Sequence, residues 1–124
     1  MIFRCDLVPQ YLRFKSEIDD AISNVLISGR YILSEKVNSF ENDFASYNRV
    51  NYCLGVASGT DAIILALRAC GVGKGDEVIT TPYTAYATIS AIISTGATPV
   101  FVDVCEDTYL LDIEKIHKYI TQFN

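Results

Sequence analysis

A short run of polar residues separates an apolar segment from a helix-like one. In VASGTDAIILALRACG (residues 56–71), these residues are Ser58, Gly59, Thr60 and Asp61. Glycine lets the backbone approach a ligand closely, and the free N–H groups and dipole of a helix's first turn favour a phosphate. The same residue types also cap helices in ordinary strand-to-helix turns. The run therefore predicts either a phosphate cradle or a simple turn.

A second polar stretch, TTPYTAYAT (residues 80–88), has aromatic as well as hydroxyl side chains. It contains Tyr83 and Tyr86, together with Thr81, Thr84 and Thr88, next to a proline and the start of a helical pattern. An aromatic ring and several hydroxyls beside a phosphate site would suit a flat, phosphorylated ring. The alternative is that one tyrosine packs in the core while the threonines cap the helix.

The chain offers no convincing catalytic or metal-binding cluster. GVGKGDE lacks the pattern of a P-loop and leads into a strand-like segment. His117 has no nucleophile or carboxylate partner at a telling spacing. The four cysteines lack the spacing of a zinc site, which indicates reduced thiols in a cytosolic protein. We predict no catalytic residue and no metal ligand.

Hydrophobic spacing predicts a helical segment over residues 1–48. One helix is expected over 16–28, with Ser16 as its cap and Gly29 as its stop. A second is expected over 35–47, with Ser34 as its cap. Both have an apolar stripe, so both are expected to pack on other elements.

From residue 49 the pattern changes to strands alternating with helices. The predicted strands cover 51–58, 77–82 and 98–104; the predicted helices cover 60–71, 84–96 and a last one capped by Asp112. This alternation builds a parallel sheet with helical crossovers, so we predict an α/β domain over 49–124. Ligands bind at the carboxyl ends of such strands, where both polar stretches are expected to lie.

Composition limits the classes of partner. The chain has 124 residues, half of them apolar, a net charge of -5 and scattered lysines and arginines. Such a charge distribution argues against nucleic acid or an acidic membrane as a partner. No apolar run has the roughly 20 residues needed to span a bilayer, and the N-terminus lacks a signal-peptide pattern. A cytoplasmic protein is expected.

The order and spacing of SGTDA, GDEVI and GATPVFVDV resemble the N-terminal part of the DegT/DnrJ/StrS family. These are pyridoxal-phosphate-dependent aminotransferases of fold type I that act mainly on nucleotide-linked keto-sugars. The resemblance runs from about Val8 to Ile120. It implies part of the large domain of that fold, preceded by two N-terminal helices. It also implies a nucleotide-sugar substrate, an amino-acid donor, and a homodimer in the full-length enzyme.

The resemblance also implies particular site residues. Backbone N–H groups around Gly59, Thr60 and Asp61 would hold the cofactor phosphate. The family's ring-stacking aromatic falls at Ala85, with Tyr86 one place along, so the stacking group is Tyr86, Tyr83 or none. GRYIL resembles a loop that reaches the neighbouring subunit's active site, where Tyr31 would touch substrate.

The family's Schiff-base lysine lies beyond the region that matches. None of the five lysines present corresponds to it. Transamination needs that lysine, so the chain is expected to be an N-terminal portion that is inactive alone. The alternatives are a non-catalytic binding or interaction module on the same scaffold and, with less support, a nucleotide-binding α/β domain.

Overall fold

The computed structural model describes residues 5–120, and its contacts divide the chain into two units, Met1–Gly55 and Val56–Asn124. The predicted boundary between the helical segment and the α/β domain was at residues 48 and 49. The ends of the two predicted domains, residues 1–4 and 121–124, lie outside the described residues.

The first unit contains three helices: α1 (Val8–Arg13), α2 (Lys15–Ser28) and α3 (Glu35–Tyr47). The sequence predicted only two, because α1 is short and was not distinguished from the N-terminal loop. Pro9 stands in the first turn of α1, where a missing N–H costs nothing.

The ends of α2 and α3 follow the prediction with one exception. Gly29 ends α2 in the left-handed conformation (φ 64°), as expected of a stop glycine. Its start differs, because Phe14 rather than Ser16 precedes the first turn. Ser34 does precede α3, although its hydroxyl makes no capping hydrogen bond.

The second unit is a partial α/β domain. In order it contains α4 (Gly59–Ala69), β1 (Glu77–Thr80), α5 (Tyr86–Thr95), β2 (Thr98–Phe101) and α6 (Ile113–Ile116). β1 and β2 form a two-stranded parallel sheet in which Glu77 pairs with Thr98 and Thr80 with Phe101. α5 is the crossover between them, as the alternating pattern predicted. Asp112 caps α6 by accepting the Glu114 N–H at 3.1 Å.

The prediction of a strand at 51–58 is wrong. Over 51–57 the chain forms no strand with any described residue. A strand requires a hydrogen-bonded neighbour, and the N–H of Gly55 is instead donated to the Glu41 carboxylate at 2.7 Å. Apolar composition alone did not reveal this missing partner.

The two longer helices of the second unit run in the same direction. α4 and α5 pack against each other, and the Arg68 guanidinium near the end of α4 donates to the Ser94 carbonyl near the end of α5 at 3.4 Å. α5 must run opposite to β1 and β2, because it connects two parallel strands. The N-termini of α4 and α5 therefore lie on the side of the sheet where both strands end.

Little of the described chain is fully buried. Ala91, Ile92, Ala97 and Val102 form the core of the second unit, and Ala45 is the buried apolar residue of the first. Large apolar side chains are exposed instead; Ile27 and Ile32 of the first unit, for example, are 85% and 84% exposed. Exposed apolar surface of this kind is typical of a surface that another protein surface covers.

Candidate functional site

The first turn of α4 is organised by a reciprocal pair of side chains. Ser58 is the N-cap residue, and its hydroxyl oxygen accepts the Asp61 N–H at 3.1 Å. The same hydroxyl donates to the Asp61 carboxylate at 2.8 Å. The first bond is the usual N-cap bond to the third residue of the helix, whereas the second joins the two side chains and does not involve the Ser58 backbone N–H, as a full capping box would. The pair occupies the Asp61 N–H and turns the carboxylate back towards Ser58.

Gly59 and Thr60 occupy the first two positions of α4, and their N–H groups have no hydrogen-bond partner among the described residues. A Cβ built on Gly59 meets no atom within 4 Å, and its φ is not in the left-handed region. The fold of this chain therefore does not require glycine here. The absent side chain instead leaves open space beside two free donors at the positive end of a helix, an arrangement that fits a phosphate.

The start of α5 lies at the same side of the sheet. Ala85 is its N-cap residue, in an extended conformation, and Tyr86 is its first residue with 81% of its surface exposed. The hydroxyls of Thr84 and Thr88 are hydrogen-bonded to each other at 3.0 Å. The structure thus brings Ala85 and Tyr86 to the side where Gly59 lies, although no described cavity is lined by all three.

The sequence interpretation missed Tyr109. It lies in the loop after β2, and its ring centroid is 6.1 Å from that of Tyr83, with the ring planes at 39°. Its φ is +56°, which is uncommon for a residue other than glycine. Only its position in the sequence could have pointed to Tyr109, because the loops that follow two parallel strands lie at the same edge of the sheet, and Tyr83 is in the loop after the preceding strand.

Tyr31 belongs to the first unit. Its hydroxyl donates to the Leu26 carbonyl at 3.1 Å, and the residue is among those that line a surface cavity of about 440 Å³, which Glu35 also lines. Leu33 in the same loop has a left-handed backbone, with φ +48°. The structure describes this loop within its own unit, so the substrate contact expected of Tyr31 stays a prediction.

The perturbed ionisable groups lie outside these two turns. The hydrogen bond from Lys115 holds the pKa of Asp112 below its usual range, and the same pair raises the pKa of Lys115. On α2, the hydrogen bond to Asp19 raises the pKa of Lys15 to about 12. The Lys15–Asp19 pair is solvent-exposed, and in the other pair Lys115 is exposed while Asp112 is largely covered. Both pairs join residues three or four positions apart, so they act locally on helix ends.

Two further features bear on the kind of site. Among residues 5–120, no group of three or more histidine, cysteine, aspartate or glutamate side chains is arranged to hold a metal ion. In the same range, no helix has the length and apolar character to cross a membrane. The four cysteines are free thiols, of which Cys5 and Cys70 are exposed.

Comparison with known proteins gives relatives that are longer than this chain, of which two are described here. An Aneurinibacillus thermoaerophilus protein named dTDP-3-amino-3,6-dideoxy-alpha-D-galactopyranose transaminase is 47% identical over 98% of this chain and 33% of its own length. A Pseudomonas aeruginosa UDP-2-acetamido-2-deoxy-3-oxo-D-glucuronate aminotransferase is 42% identical over 98% of this chain and 34% of its own. The chain thus spans about a third of the curated relatives it matches.

Solved structures agree with the sequence relatives. DesV of S. venezuelae superposes with a TM-score of 0.91 at 46% identity, over 94% of this chain and 31% of that one. Spr1654 from Streptococcus pneumoniae, in its PLP-form, superposes with a TM-score of 0.74 at 34% identity, over 81% of this chain and 26% of that one. The model of the DegT/DnrJ/EryC1/StrS aminotransferase family matches residues 13–124. The chain belongs to this aminotransferase family.

Proposed function

We propose that this chain is the N-terminal, cofactor-phosphate-binding portion of a pyridoxal-phosphate-dependent aminotransferase. The observation that carries the proposal is the first turn of α4. There, the N–H groups of Gly59 and Thr60 have no hydrogen-bond partner among the described residues, and a Cβ added to Gly59 would meet no atom within 4 Å. The chain belongs to a family of aminotransferases, which makes a cofactor phosphate the anion that we propose for this turn. A phosphate in that space would accept both hydrogen bonds and gain from the helix dipole.

Each residue of the turn has a distinct part in this proposal. Gly59 and Thr60 bind the phosphate through their backbone, and Gly59 keeps the approach open. Ser58 and Asp61 hold the turn rigid through their reciprocal hydrogen bonds. Ala85 and Tyr86 lie beside the cofactor ring. Pyridoxal phosphate, when bound, supplies the electron sink for carbanion chemistry at the substrate carbon.

The substrate proposed is a nucleotide-linked keto-sugar, with an amino acid as the amino donor. Relatives named for dTDP-linked and UDP-linked sugars support it, as does a Bacillus subtilis relative named for spore coat polysaccharide biosynthesis. We place the protein in the cytoplasm and its full-length form in a homodimer, in which Tyr31 contacts substrate. None of the five lysines fits the cofactor-linking position, so the 124 residues alone are proposed not to turn over.

A ligand pair tests the phosphate role. The purified chain is titrated with pyridoxal phosphate and, as matched control, with pyridoxal, which has the same ring and no phosphate. We expect weak binding of the first, at least tenfold poorer binding of the second, and loss of that difference in Gly59→Val. Equal affinity for both ligands would refute the cradle.

A second candidate is a non-catalytic interaction module, which the exposed apolar side chains, Ile27 and Ile32 among them, favour. Supplying in trans the part of the A. thermoaerophilus relative outside the matched region separates the two functions. An aminotransferase portion is expected to restore amination of a dTDP-linked keto-sugar. A chain that binds neither pyridoxal phosphate nor a nucleotide sugar, and restores nothing, would be an interaction module.

A further inference from the structure

A single side chain of α3 holds the segment that leads into the phosphate turn (residues 58–61). This segment, residues 51–57, forms no strand with any described residue. Of the hydrogen bonds that the structure describes among residues 5–120, only one involves it: the Gly55 N–H donates to the Glu41 carboxylate at 2.7 Å. The bond joins residues 14 positions apart, and its acceptor is an ionisable group, which makes such a bond stronger than a neutral one.

Gly55 suits this contact because it has no side chain. A Cβ built on it would lie 3.4 Å from the Glu41 Oε1 atom and 3.9 Å from the Val37 Cγ1 atom. Its φ is not in the left-handed region, so the backbone conformation alone does not require glycine here. The missing side chain instead lets the backbone come close to α3. A half-buried carboxylate and a residue that leaves room for it thus form the contact together.

The chain after Gly55 must stay extended if the phosphate turn is to bind an anion. Ser58 has an extended backbone, with φ -159° and ψ 166°, and no residue before it continues α4. The Gly59 and Thr60 N–H groups are therefore free. If α4 extended backwards by one turn, these two groups would bond to the carbonyls of Gly55 and Val56, their partners four positions earlier.

The local sequence alone does not prevent that extension. Alanine is the best helix former, so Ala57 favours it, and residues 51–57 contain no proline. The Ser58 cap opposes it, because an N-cap residue has a non-helical backbone. The contact with Glu41 adds a second restraint. Winding residues 55–57 into a helix reduces the advance per residue from about 3.3 Å to about 1.5 Å and displaces Gly55, which the bond to Glu41 resists.

We propose that Glu41 is a positioning residue that keeps the phosphate-binding N–H groups free. By holding the Gly55 N–H, it keeps residues 55–57 extended and prevents α4 from winding back over Gly59 and Thr60. The inference rests on the proposed function, because it takes the anion to be bound at that turn. Glu41 acts through the backbone of Gly55 and is assigned no contact with the phosphate.

The first measurement is NMR of the full chain without ligand. In Glu41→Ala, the Cα shifts of Val56 and Ala57 are expected to move towards helical values. Glu41→Gln keeps an acceptor, although a neutral one, and is expected to resemble the original chain. Asp43→Ala is the matched control, because it removes the same charge from α3 without removing this hydrogen bond. The inference is overturned if Glu41→Ala and Asp43→Ala give the same Val56 and Ala57 shifts.

The second measurement is a titration of the same variants with inorganic phosphate, followed through the Gly59 and Thr60 amide signals. Apparent affinity falls with the fraction of molecules whose N–H groups stay free, so Glu41→Ala is expected to bind phosphate about threefold to tenfold more weakly. Glu41→Gln is expected to stay within about twofold of the original chain. Loss of negative charge alone would strengthen phosphate binding, so the sign of the change separates positioning from electrostatics. Equal or tighter binding by Glu41→Ala overturns the inference.

A third variant separates positioning from stability. Ala45→Gly weakens α3 at its buried alanine and leaves the contact between Glu41 and Gly55 in place. It is expected to unfold at lower urea concentration and to bind phosphate like the original chain. If it weakens phosphate binding as much as Glu41→Ala does at a similar loss of stability, the inference is overturned.

The same data distinguish a failure of this inference from a failure of the proposed function. If phosphate shifts the Gly59 and Thr60 signals of the original chain and of Glu41→Ala with equal affinity, the cradle stands and the role of Glu41 is wrong. If phosphate leaves those signals unchanged in the original chain while Glu41→Ala shows the helical shifts, the cradle is wrong and the restraint on residues 55–57 stands.

Discussion

Replacing Gly59 with alanine is expected to raise stability and lower phosphate affinity at the same time. The added Cβ meets no atom within 4 Å, and the backbone is outside the left-handed region, so alanine fits without strain. Gly→Ala at a compatible position stabilises by about 0.4–1 kcal/mol, because it restricts the unfolded chain. For a chain of this size that is a rise of roughly 2–6 °C in Tm. The new methyl group nevertheless stands where the phosphate would approach.

Gly96→Ala is the matched control with the opposite sign. Gly96 has φ +92°, and a Cβ there would lie 3.3 Å from the Lys74 backbone nitrogen. The same substitution should therefore destabilise by roughly 1–2 kcal/mol, the cost of a left-handed backbone for an L-residue. Comparing the two variants removes any general effect of alanine on α-helical content.

Urea unfolding followed by circular dichroism gives the stabilities, and calorimetric titration with inorganic phosphate gives the affinities. Losing one charge-assisted N–H bond of about 1.5–3 kcal/mol corresponds to at least a tenfold weaker phosphate affinity for Gly59→Ala. A loss of stability in Gly59→Ala would show that the fold itself needs this glycine. A gain in stability with unchanged phosphate affinity would show that the phosphate binds elsewhere.

Three further substitutions or conditions test individual contacts. Ser58→Ala removes the acceptor of the Asp61 N–H and should lower the free energy of unfolding by about 1 kcal/mol in urea titrations; an unchanged midpoint would contradict the cap. Asp61→Asn keeps an acceptor for Ser58 but removes a negative charge. Unit charges roughly 7 Å apart in water interact by about 0.6 kcal/mol, so calorimetry should show about threefold tighter phosphate binding. Weaker phosphate binding would contradict this. The hydrogen bond from Lys115 lowers the pKa of Asp112 in the folded state. The stability that this pair contributes is therefore fully present above the unfolded-state pKa of 3.8 and is lost as the pH falls through the folded-state pKa. Amide NMR signals of α6 should therefore shift in acid, and Asp112→Asn should abolish that shift.

Features encoded by neighbouring residues were predicted well from the sequence. The start of α4 and the stops of α2 and α5 depend on Ser58, Gly29 and Gly96, each of which acts within a few residues of itself. The parallel pairing of β1 and β2 followed from the alternation of strand and helix patterns. These are consequences of capping and periodicity, which need no knowledge of distant contacts.

Features that depend on distant partners were not predicted. The segment 51–58 is apolar enough for a strand, but a strand also needs a neighbour, and the Gly55 N–H is bonded to a glutamate side chain instead. The contact between Tyr83 and Tyr109 joins residues 26 positions apart, through two loops whose shapes no periodicity describes. Part of the candidate site therefore became visible only in three dimensions.

The crossover of β1, α5 and β2 has a consequence for the order of events during synthesis. Its strand partners are separated by only 21 positions, as in the pairing of Glu77 with Thr98, and α4 lies directly upstream. Parallel strands cannot pair until the crossover between them is complete. The two strands can therefore pair only once residue 101 has emerged from the ribosome. At that moment the first turn of α4 has also emerged, whereas the loop that carries Tyr109 is still inside the exit tunnel.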